Sequence, residues 1–379
     1  MRILSVVGAR PQFVKLAVIC RAVAQRGAPW VHRIVHTGQH YDQTMSSVFF
    51  EELDIPRPDY DLGVGSGSHG DQTGEMLKRL EPVLQAERPD WVLLYGDTNS
   101  TLAGALTASK LELPSAHIEA GLRSHRRSMP EEINRIVADH LSDLLLCPTD
   151  LAVANLRKEG LAERAVLTGD VMYDAVLASR GLAERQCSAL AERWSPGSFC
   201  LATVHRAENT DDPHRLRQIV GAFNRISETV CPVVWPVHPR TQSRLRSMSL
   251  STGSVDACGP VSYLEMLLLE SRARFILTDS GGVQKEAYFF KVPCITLRAE
   301  TEWVETLENR CNVLTDCCAE TILRAALSSG SAGPWGAAYG EGSAGVKILD
   351  AIAQGRIENS SNVLCRPRSS LEGCTMPAR

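Results

Sequence analysis

The chain contains 379 residues, of which 44% are hydrophobic, and its formal net charge is -4 at pH 7. Single hydrophobic cores rarely extend beyond ~250 residues, so this length predicts two domains. The slightly acidic balance argues against a nucleic-acid-binding protein, which normally carries clustered positive charge. No apolar stretch reaches the ~20 residues of a transmembrane helix, so we expect no membrane partner.

The first half of the chain alternates short apolar strands with helices, as a doubly wound α/β domain does. The predicted strands are 3–7, 33–36, 91–95, 114–119, 144–148 and 166–168, and the predicted helices are 11–25, 70–85, 100–111 and one that starts at residue 130. The apolar run at the amino terminus is short and leads directly into a Gly-Ala-Arg-Pro turn. This favours a first strand over a signal peptide.

The same pattern restarts in the second half, with predicted strands at 199–204, 232–237, 274–278 and 292–297. We therefore predict an N-terminal domain at 1–170 and a C-terminal domain at 171–357 that ends in an amphipathic helix at 344–353. Residues 358–379 lack hydrophobic periodicity and are predicted to form a mobile tail. The expected architecture is α/β, with two Rossmann-like domains facing each other across a cleft.

The twelve cysteines form no C-x-x-C motif. Most lie in apolar runs, where a reduced thiol behaves as a small hydrophobic side chain. These surroundings predict a reducing, cytoplasmic location, no disulfide framework and no metal site.

Three carboxylates, those of Asp97, Glu119 and Glu131, are candidates for one proton-transfer site. Asp97 and Glu119 each follow a predicted strand, and Glu131 opens a helix. Because ligands bind beyond the carboxyl ends of parallel strands, these side chains are expected to share a cleft. Taken singly, Asp97 equally fits a helix N-cap, and Glu131 fits a residue that complements a helix dipole. Glu119, at the end of an apolar strand, needs a partner or a function if it is buried.

Two segments have the features of phosphate-binding turns. In the first βα turn, Arg10 and Lys15 flank a helix start, which favours anions, although the turn is not a G-x-G-x-x-G motif and also fits a solvated basic turn. In the second half, 280–282 (Ser-Gly-Gly) follows a strand and opens a helix, which leaves backbone amides for phosphate oxygens. Glu286 further along would accept hydrogen bonds from a ribose diol, unless the segment is a plain turn with a solvated glutamate.

Two histidines, His205 and His238, end predicted strands of the second domain. A single histidine is more often packed or exposed than catalytic, but strand ends face the expected cleft. His205 lies beside Arg206 and Glu208 and is the better candidate for an acid or an electrostatic group. His238 is more consistent with a residue that shapes a nucleotide pocket.

These motifs resemble, in order and over residues 1 to about 353, the UDP-N-acetylglucosamine 2-epimerases of the non-hydrolysing bacterial type. The resemblance rests on Gly8-Ala-Arg10-Pro11 with Lys15, His36-Thr-Gly-Gln-His40, Gly96-Asp97-Thr98, Glu119-Ala-Gly-Leu-Arg123, Pro130-Glu131-Glu-Ile-Asn-Arg135, His205-Arg-Ala-Glu-Asn209, His238-Pro239, Asp279-Ser-Gly-Gly282 with Glu286, and Thr301-Glu302. It implies a glycosyltransferase-B-like fold, a homodimer and a UDP-sugar substrate.

The resemblance also implies roles for individual residues. The implied catalytic residues are Asp97, Glu119, Glu131 and His205, and the implied UDP- and substrate-binding residues are Arg10, Lys15, Arg135, His238, Ser280, Gly281, Gly282 and Glu286. The implied reaction interconverts UDP-GlcNAc and UDP-ManNAc by eliminating UDP to give a 2-acetamidoglucal and adding it back. That route requires no metal or redox cofactor.

The sequence departs from the resemblance in two places. Where the bacterial enzymes activated by a second UDP-GlcNAc build their allosteric pocket, this chain has 39–42 (Gln-His-Tyr-Asp) and 70–73 (Gly-Asp-Gln-Thr), which predicts an altered or absent pocket. Where many members have Thr-Glu-Arg-Pro-Glu, the chain has Trp303 in place of the arginine. The presence of Trp303 favours a substrate whose hexose differs from that of most members.

Four alternatives to this function remain open. The forms that two motifs take in this chain, 8–13 (Gly-Ala-Arg-Pro-Gln-Phe) and 301–305 (Thr-Glu-Trp-Val-Glu), also resemble relatives that act on UDP-2,3-diacetamido-uronic acid sugars. A hydrolysing epimerase would release UDP and free ManNAc, and a glycosyltransferase would pass the sugar to an acceptor. A non-catalytic UDP-sugar sensor fits least well.

Overall fold

A computed structural model describes residues 1–39, 50 and 52–364, with side chains described through residue 355. In this part of the chain the first domain contains a seven-stranded parallel sheet in the order β3-β2-β1-β4-β5-β6-β7. Its strands are β1 (Arg2–Val7), β2 (Val31–His36), β3 (Tyr60–Asp61), β4 (Trp91–Tyr95), β5 (Ser115–Ile118), β6 (Leu144–Cys147) and β7 (Ala165–Leu167). Its helices are α1 (Arg10–Arg26), α2 (His69–Glu87), α3 (Asn99–Lys110), α4 (Pro130–Leu141) and α5 (Asp150–Lys158), with a 3-10 turn at Ala162–Arg164.

The second domain contains a six-stranded parallel sheet in the order β10-β9-β8-β11-β12-β13 within the described residues. Its strands are β8 (Cys200–Thr203), β9 (Val233–Pro236), β10 (Asp256–Cys258), β11 (Ile276–Thr278), β12 (Cys294–Thr296) and β13 (Asn312–Leu314). The helices from here to the end are α6 (Val171–Gln186), α7 (Ser188–Arg193), α8 (Ala207–Thr210), α9 (Pro213–Thr229), α10 (Pro239–Ser247), α11 (Tyr263–Arg272), α12 (Gly281–Phe290), α13 (Ala319–Leu327) and α14 (Ala344–Leu364), with 3-10 segments at Val304–Arg310 and Ser329–Ser331.

The central strands are buried on both faces. Every residue of β4 and of β8 is buried, as expected when helices cover both sides of a parallel sheet. In each sheet the strand order reverses beside the first strand, at β1 and at β8. The crevice at such a switch point is where doubly wound domains bind ligands, and the two crevices face each other.

Three strands that the sequence pattern did not predict, β3, β10 and β13, lie at sheet edges and have two or three residues each. An edge strand is partly exposed and needs no continuous apolar run, so its sequence carries little signal. The predicted central strands are all present.

The last helix returns to the first domain. Ala344, Ile348 and Ile352 of α14 belong to the same apolar cluster as Phe13 and Leu16 of α1. Helix α14 therefore packs on the first domain, although it follows the second domain in the chain. It continues through Leu364, beyond the predicted start of the tail, and residues 365–379 lie outside the described part of the chain. No described helix is both long and apolar enough to cross a membrane.

Candidate active site

A cavity of about 830 Å³ lies between the two domains at the carboxyl ends of their central strands. Nine of the sequence-predicted site residues line it: Lys15, Asp97, Glu119, Glu131, Arg135, His205, Ser280, Gly281 and Gly282. Arg10, His238 and Glu286 are outside this lining. The lining also contains charged residues to which the sequence assigned no role in the site, among them Arg206, Glu208, Lys285 and Glu302.

Glu119 lies at the floor of the cleft, directly after β5. It has φ of +72°, a left-handed conformation that a non-glycine residue adopts only when its surroundings hold it there. One carboxylate oxygen is paired with Lys15, and the other accepts a hydrogen bond from Lys285 Nζ at 3.0 Å. Burial alone would raise the pKa of Glu119, but the two ammonium groups outweigh it and hold the pKa well below its usual range. The Glu119 side chain is therefore ionised and fixed at both oxygens.

Lys285 comes from the second domain and is almost completely buried. Besides Glu119, it contacts Asp170 Oδ2 at 2.6 Å, and its ammonium group lies 4.1 Å from the centre of the Trp303 ring. Burial alone would lower the pKa of Lys285, whereas Asp170 and Glu119 raise it above its usual value. Lys285 lies in the same predicted phosphate-binding segment as Gly282, but nothing in that segment indicates its distant partners.

Asp97 follows β4 and faces Arg135 of α4. Arg135 Nη2 donates to Asp97 Oδ2 at 2.5 Å, and Nη1 donates to Glu132 Oε2 at 3.0 Å. Asn134 donates to the Asp97 carbonyl oxygen at 2.9 Å. The N-cap of α3 is Thr98, so the alternative interpretation of Asp97 as the N-cap is wrong.

Glu131 lies in the first turn of α4, which begins at Pro130. Its carboxylate is exposed in the cleft and forms no hydrogen bond or ion pair with another described residue. This distinguishes it from Asp97 and Glu119, which are both paired with cations.

His205 lies between the end of β8 and the short helix α8. Its Nδ1 is 3.4 Å from Oδ1 of Asp279, and its backbone amide donates to the same carboxylate. The Asp279 side chain is fully buried and also accepts hydrogen bonds from the Arg206 amide and from Asn209 Nδ2, so it anchors this turn. Partial desolvation in the cleft is the main cause that lowers the pKa of His205, whose side chain is 44% exposed, while Asp279 opposes the shift. The imidazole is therefore mainly neutral near pH 7.

The amino terminus of α12 faces the cleft from the second domain. Its N-cap Ser280 forms no side-chain cap hydrogen bond, and Gly281 and Gly282 occupy the first two helical positions. A Cβ at Gly281 would lie 3.0 Å from Trp303 Nε1 and 3.3 Å from Glu302 Oε1, so a larger residue here would have to displace these side chains. Backbone amides at a helix start, together with the dipole, favour an anion such as a diphosphate.

Three predicted binding residues lie beside the cavity. Glu286 is buried against the carboxyl of Glu270, and burial is the main cause that raises the pKa of Glu286 to about 7. The alternative of a solvated Glu286 is therefore wrong. His238 is exposed, caps α10 through its Nδ1, and has its ring centre 6.1 Å from that of His205. Arg10 is the first residue of α1 and is half-buried.

A buried network supports the site from below. His117 of β5 has Nδ1 2.7 Å from Asp139 Oδ1 and Nε2 2.7 Å from the Gly96 carbonyl oxygen. Asp139 also pairs with Arg123 Nη1 at 2.7 Å and accepts from the Gly121 amide at 3.1 Å. Both ring nitrogens of His117 thus lie within hydrogen-bond distance of an oxygen, which fixes the orientation of the ring. Sequence analysis missed these roles because the members are polar residues within otherwise apolar or motif segments.

The described residues contain no group of three or more His, Cys, Asp or Glu side chains that could hold a metal ion. Of the two departures noted in the sequence, Trp303 lines the cavity. His40, Tyr41 and Asp42 of the other lie outside the described residues.

A family model described as UDP-N-acetylglucosamine 2-epimerase matches residues 24–353. The chain belongs to the UDP-N-acetylglucosamine 2-epimerase family. It is 48% identical over 360 residues to a UDP-N-acetylglucosamine 2-epimerase homolog of Methanococcus maripaludis, covering 93% of this chain and 99% of the relative. It is 49% identical over 359 residues to the UDP-2,3-diacetamido-2,3-dideoxy-D-glucuronate 2-epimerase of Pseudomonas aeruginosa, covering 93% of this chain and 100% of that protein.

The solved structures agree with this membership. The crystal structure of Methanocaldococcus jannaschii UDP-GlcNAc 2-epimerase in complex with UDP-GlcNAc and UDP is similar with a TM-score of 0.83 and 42% identity, over 94% of this chain and 100% of that chain. The predicted α/β class with two Rossmann-like domains, in the glycosyltransferase-B-like arrangement, is confirmed, as is the predicted enzyme class, an epimerase.

Proposed function

We propose that this member of the epimerase family inverts carbon 2 of a UDP-N-acetylhexosamine, converting UDP-GlcNAc to UDP-ManNAc through a 2-acetamidoglucal. One observation carries the proposal. Three first-domain carboxylates, those of Asp97, Glu119 and Glu131, face the same cavity as the amino terminus of α12 from the second domain. Acids suited to the hexose thus lie opposite a helix start suited to the diphosphate.

The chemistry of the reaction explains why the acids of the first domain and the helix start of the second domain are both needed. The proton on carbon 2 is weakly acidic and has no adjacent carbonyl to stabilise a carbanion. Expelling UDP as this proton leaves avoids the carbanion, and UDP then returns as carbon 2 is protonated on the opposite face. Donors at Ser280, Gly281 and Gly282 stabilise the charge that develops on the departing diphosphate.

The three carboxylates differ in their partners, and we assign them different roles. Glu131 has no cation partner among the described residues, so it is the best placed to exchange a proton. Asp97 is paired with Arg135, and Glu119 is held between two lysines. Glu119 therefore acts as a fixed negative charge that orients Lys15 at the cleft floor. His205, mainly neutral, donates or accepts a hydrogen bond near the sugar rather than serving as a cation.

A second candidate substrate is a UDP-2,3-diacetamido-uronic acid sugar. Two observations favour it: the 49% identity to the Pseudomonas aeruginosa enzyme and the presence of Trp303 in the cavity lining. The reaction at carbon 2 would be the same. The hydrolysing and glycosyltransferase alternatives use the same nucleotide-binding side and differ in where the sugar goes.

The proposal is tested by measuring hydrogen exchange at carbon 2 of the sugar. The protein is incubated with UDP-GlcNAc, or with the diacetamido-uronic acid analogue, in heavy water, and the anomeric and carbon-2 protons are followed by NMR. We expect deuterium at carbon 2 and formation of the manno epimer from one of the two sugars. Release of free sugar with UDP would instead establish hydrolysis, and absence of exchange with both sugars would refute the proposal.

A matched pair of variants tests the role of Glu131. Glu131→Gln should lose exchange while UDP affinity, measured by calorimetry, changes within about threefold, because the carboxylate acts in the chemical step. Glu81→Gln, at an exposed position of α2, makes the same chemical change away from the cleft and should leave both quantities unaltered.

We further propose that the enzyme acts in the cytoplasm as a homodimer without a metal or redox cofactor. Elimination and re-addition leave the oxidation state of the sugar unchanged, so the chemistry demands no redox group. Exchange that persists after treatment with EDTA, and a dimer mass in light scattering, are the expected results. Loss of exchange with EDTA would contradict the first point, and a monomer mass would contradict the second.

A further inference from the structure

Lys285 is the residue through which the second domain reaches the acids of the first. It lies in the second turn of α12, yet its ammonium group contacts Glu119 Oε1 at 3.0 Å and Asp170 Oδ2 at 2.6 Å. The side chain is only 4% exposed. Within the described residues these two ion pairs join α12 to the end of β5 and to the residue that precedes α6.

Lys285, Asp170, Glu119 and Lys15 form a cluster of ion pairs with no net charge. Lys15 and Lys285 supply two positive charges, and Glu119 and Asp170 supply two negative charges. Each oxygen of Glu119 is assigned to one lysine, Oε2 to Lys15 of the same domain and Oε1 to Lys285 of the other. The orientation of the Glu119 carboxylate therefore depends on one lysine from each domain.

We propose that Lys285 is a positioning residue through which the second domain aligns Glu119 of the first domain. The inference rests on the proposed function and extends it, since it connects the nucleotide side of the cleft to the arrangement of the first-domain acids. Without Lys285, Glu119 would keep only its contact with Lys15. Both oxygens of Glu119 are therefore fixed only when α12 lies against the first domain.

Trp303 closes the cluster from the cleft. Its ring lies 4.1 Å from Lys285 Nζ, and its side chain is largely buried while lining the cavity. A ring at this distance attracts the ammonium group and excludes water from it. Water exclusion strengthens the ion pairs to Glu119 and Asp170. The indole thus holds Lys285 in the orientation that reaches the first domain.

A simpler role would be that Lys285 only neutralises Asp170. A double variant separates the two roles. Lys285→Met leaves both carboxylates short of a cation and should lower the melting temperature, because a buried charge loses its partner. Lys285→Met combined with Asp170→Asn restores the charge balance, and asparagine can still cap α6 as Asp170 does. The melting temperature should therefore recover in the double variant.

Activity should not recover with stability. In the double variant Glu119 still lacks Lys285, and we expect kcat to stay reduced by about 100-fold, the effect of a small misplacement at a reacting centre, while KM for the UDP-sugar stays within about threefold. Recovery of kcat to within threefold of the wild type would overturn the proposal. Trp303→Leu should also lower kcat, whereas Trp303→Phe, which keeps a ring over Lys285, should retain most of it. Equal losses in these two variants would contradict the role of the indole.

A measurement that does not depend on enzyme activity can test the contact between Lys285 and Glu119 even if the proposed function is wrong. The melting temperatures of Lys285→Met, Glu119→Gln and their combination form a double-mutant cycle. A coupling between the two positions supports the contact across the domains, and strict additivity would overturn it. If the wild-type enzyme shows no exchange at carbon 2 with either sugar, the proposed function fails, and the cycle still decides whether Lys285 holds Glu119.

Discussion

Arg135 Nη2 donates to Asp97 Oδ2 across 2.5 Å, and the same guanidinium group donates to Glu132. Glu132 in turn accepts hydrogen bonds from the Ser124 amide and hydroxyl and from the His125 amide. Arg135 thus links a cleft acid to the loop that precedes α4. A planar fork with several donors can make both contacts at once.

The first prediction concerns this link. Arg135→Gln should lower kcat by about 10- to 100-fold, because Asp97 loses the group that orients it. It should also destabilise the protein by about 1–3 kcal/mol, since Glu132 is buried and loses a charged partner. Steady-state kinetics and urea unfolding measure the two effects. Arg135→Lys should recover only part of kcat, because one ammonium group cannot replace the fork.

The control for this pair is Arg57→Gln, which removes an arginine at an exposed position. It should leave kcat and stability unchanged. Full activity in Arg135→Gln would show that Asp97 needs no orientation by α4.

The second prediction concerns the two histidines of the cleft. Partial desolvation in the cleft lowers the pKa of His205 below its usual value, and the positive charge of His238 lowers it further. His238→Asn should therefore raise the pKa of His205, and asparagine retains the helix cap that His238 provides. An NMR titration of the imidazole protons measures the pKa in both proteins. A pKa of His205 above 6.5 in the wild type, or a fall in the variant, would contradict the interpretation.

The same shift has a consequence for stability. Because the pKa of His205 is lower in the folded state, the unfolded chain takes up a proton at this histidine first as the pH falls below the unfolded value of ~6.5. The contribution of His205 to stability is therefore present above that pH and is lost progressively below it. Urea unfolding at several pH values, with His205→Asn as the comparison, should show the difference between the two proteins changing only in this acidic range.

Many of the residues that line the cleft could be predicted from the sequence, but few of the contacts that fix their side chains could. Strand patterns place Asp97 and Glu119 at neighbouring strand ends, and Gly281 at a helix start after β11, because local periodicity reports local structure. The contact between Lys285 and Glu119 joins residues 166 positions apart. No local pattern encodes such a partner, so it emerges only when the domains are folded and placed together.

The surroundings of Glu286 were likewise not predictable from local sequence. Its spacing after 280–282 (Ser-Gly-Gly) predicted a ribose contact, whereas the folded helix places its carboxyl against Glu270. One helical turn can direct a side chain to the cleft or to the interior, depending on what packs beside it. Its role toward ribose stays a prediction.

The third prediction uses the close approach at α12. Gly281→Ala should displace Trp303, because the added Cβ would lie 3.0 Å from Nε1. We expect UDP affinity to fall by about tenfold, since the helix start loses the shape that admits a diphosphate. Calorimetry with UDP measures the change. At Gly282 an added Cβ meets only Ser280 Oγ at 3.8 Å, so Gly282→Ala should weaken binding less. An equal loss in both variants would exclude the displacement of Trp303 as the cause.

The last prediction concerns the network below β5. Burial alone would raise the pKa of Asp139, but His117 and Arg123 outweigh it and hold the pKa below its usual range. Asp139→Asn should destabilise the protein by about 3 kcal/mol at pH 7, because the buried Arg123 guanidinium loses a counter-charge and the His117 ring loses its carboxylate partner. Since the folded pKa is depressed, the contribution of this carboxylate is present above the unfolded value of ~3.9 and is lost as the pH falls through the folded value.

The difference in unfolding free energy between the wild type and Asp139→Asn should therefore be constant at neutral pH and shrink below about pH 4. Urea unfolding across this range measures it, with Glu163→Gln, at an exposed position, as the control for an equal change in charge. The variant should also lower kcat, because His117 holds the carbonyl of Gly96, the residue before Asp97. A stability difference that stays constant down to pH 3 would mean that the Asp139 charge does not hold this network together.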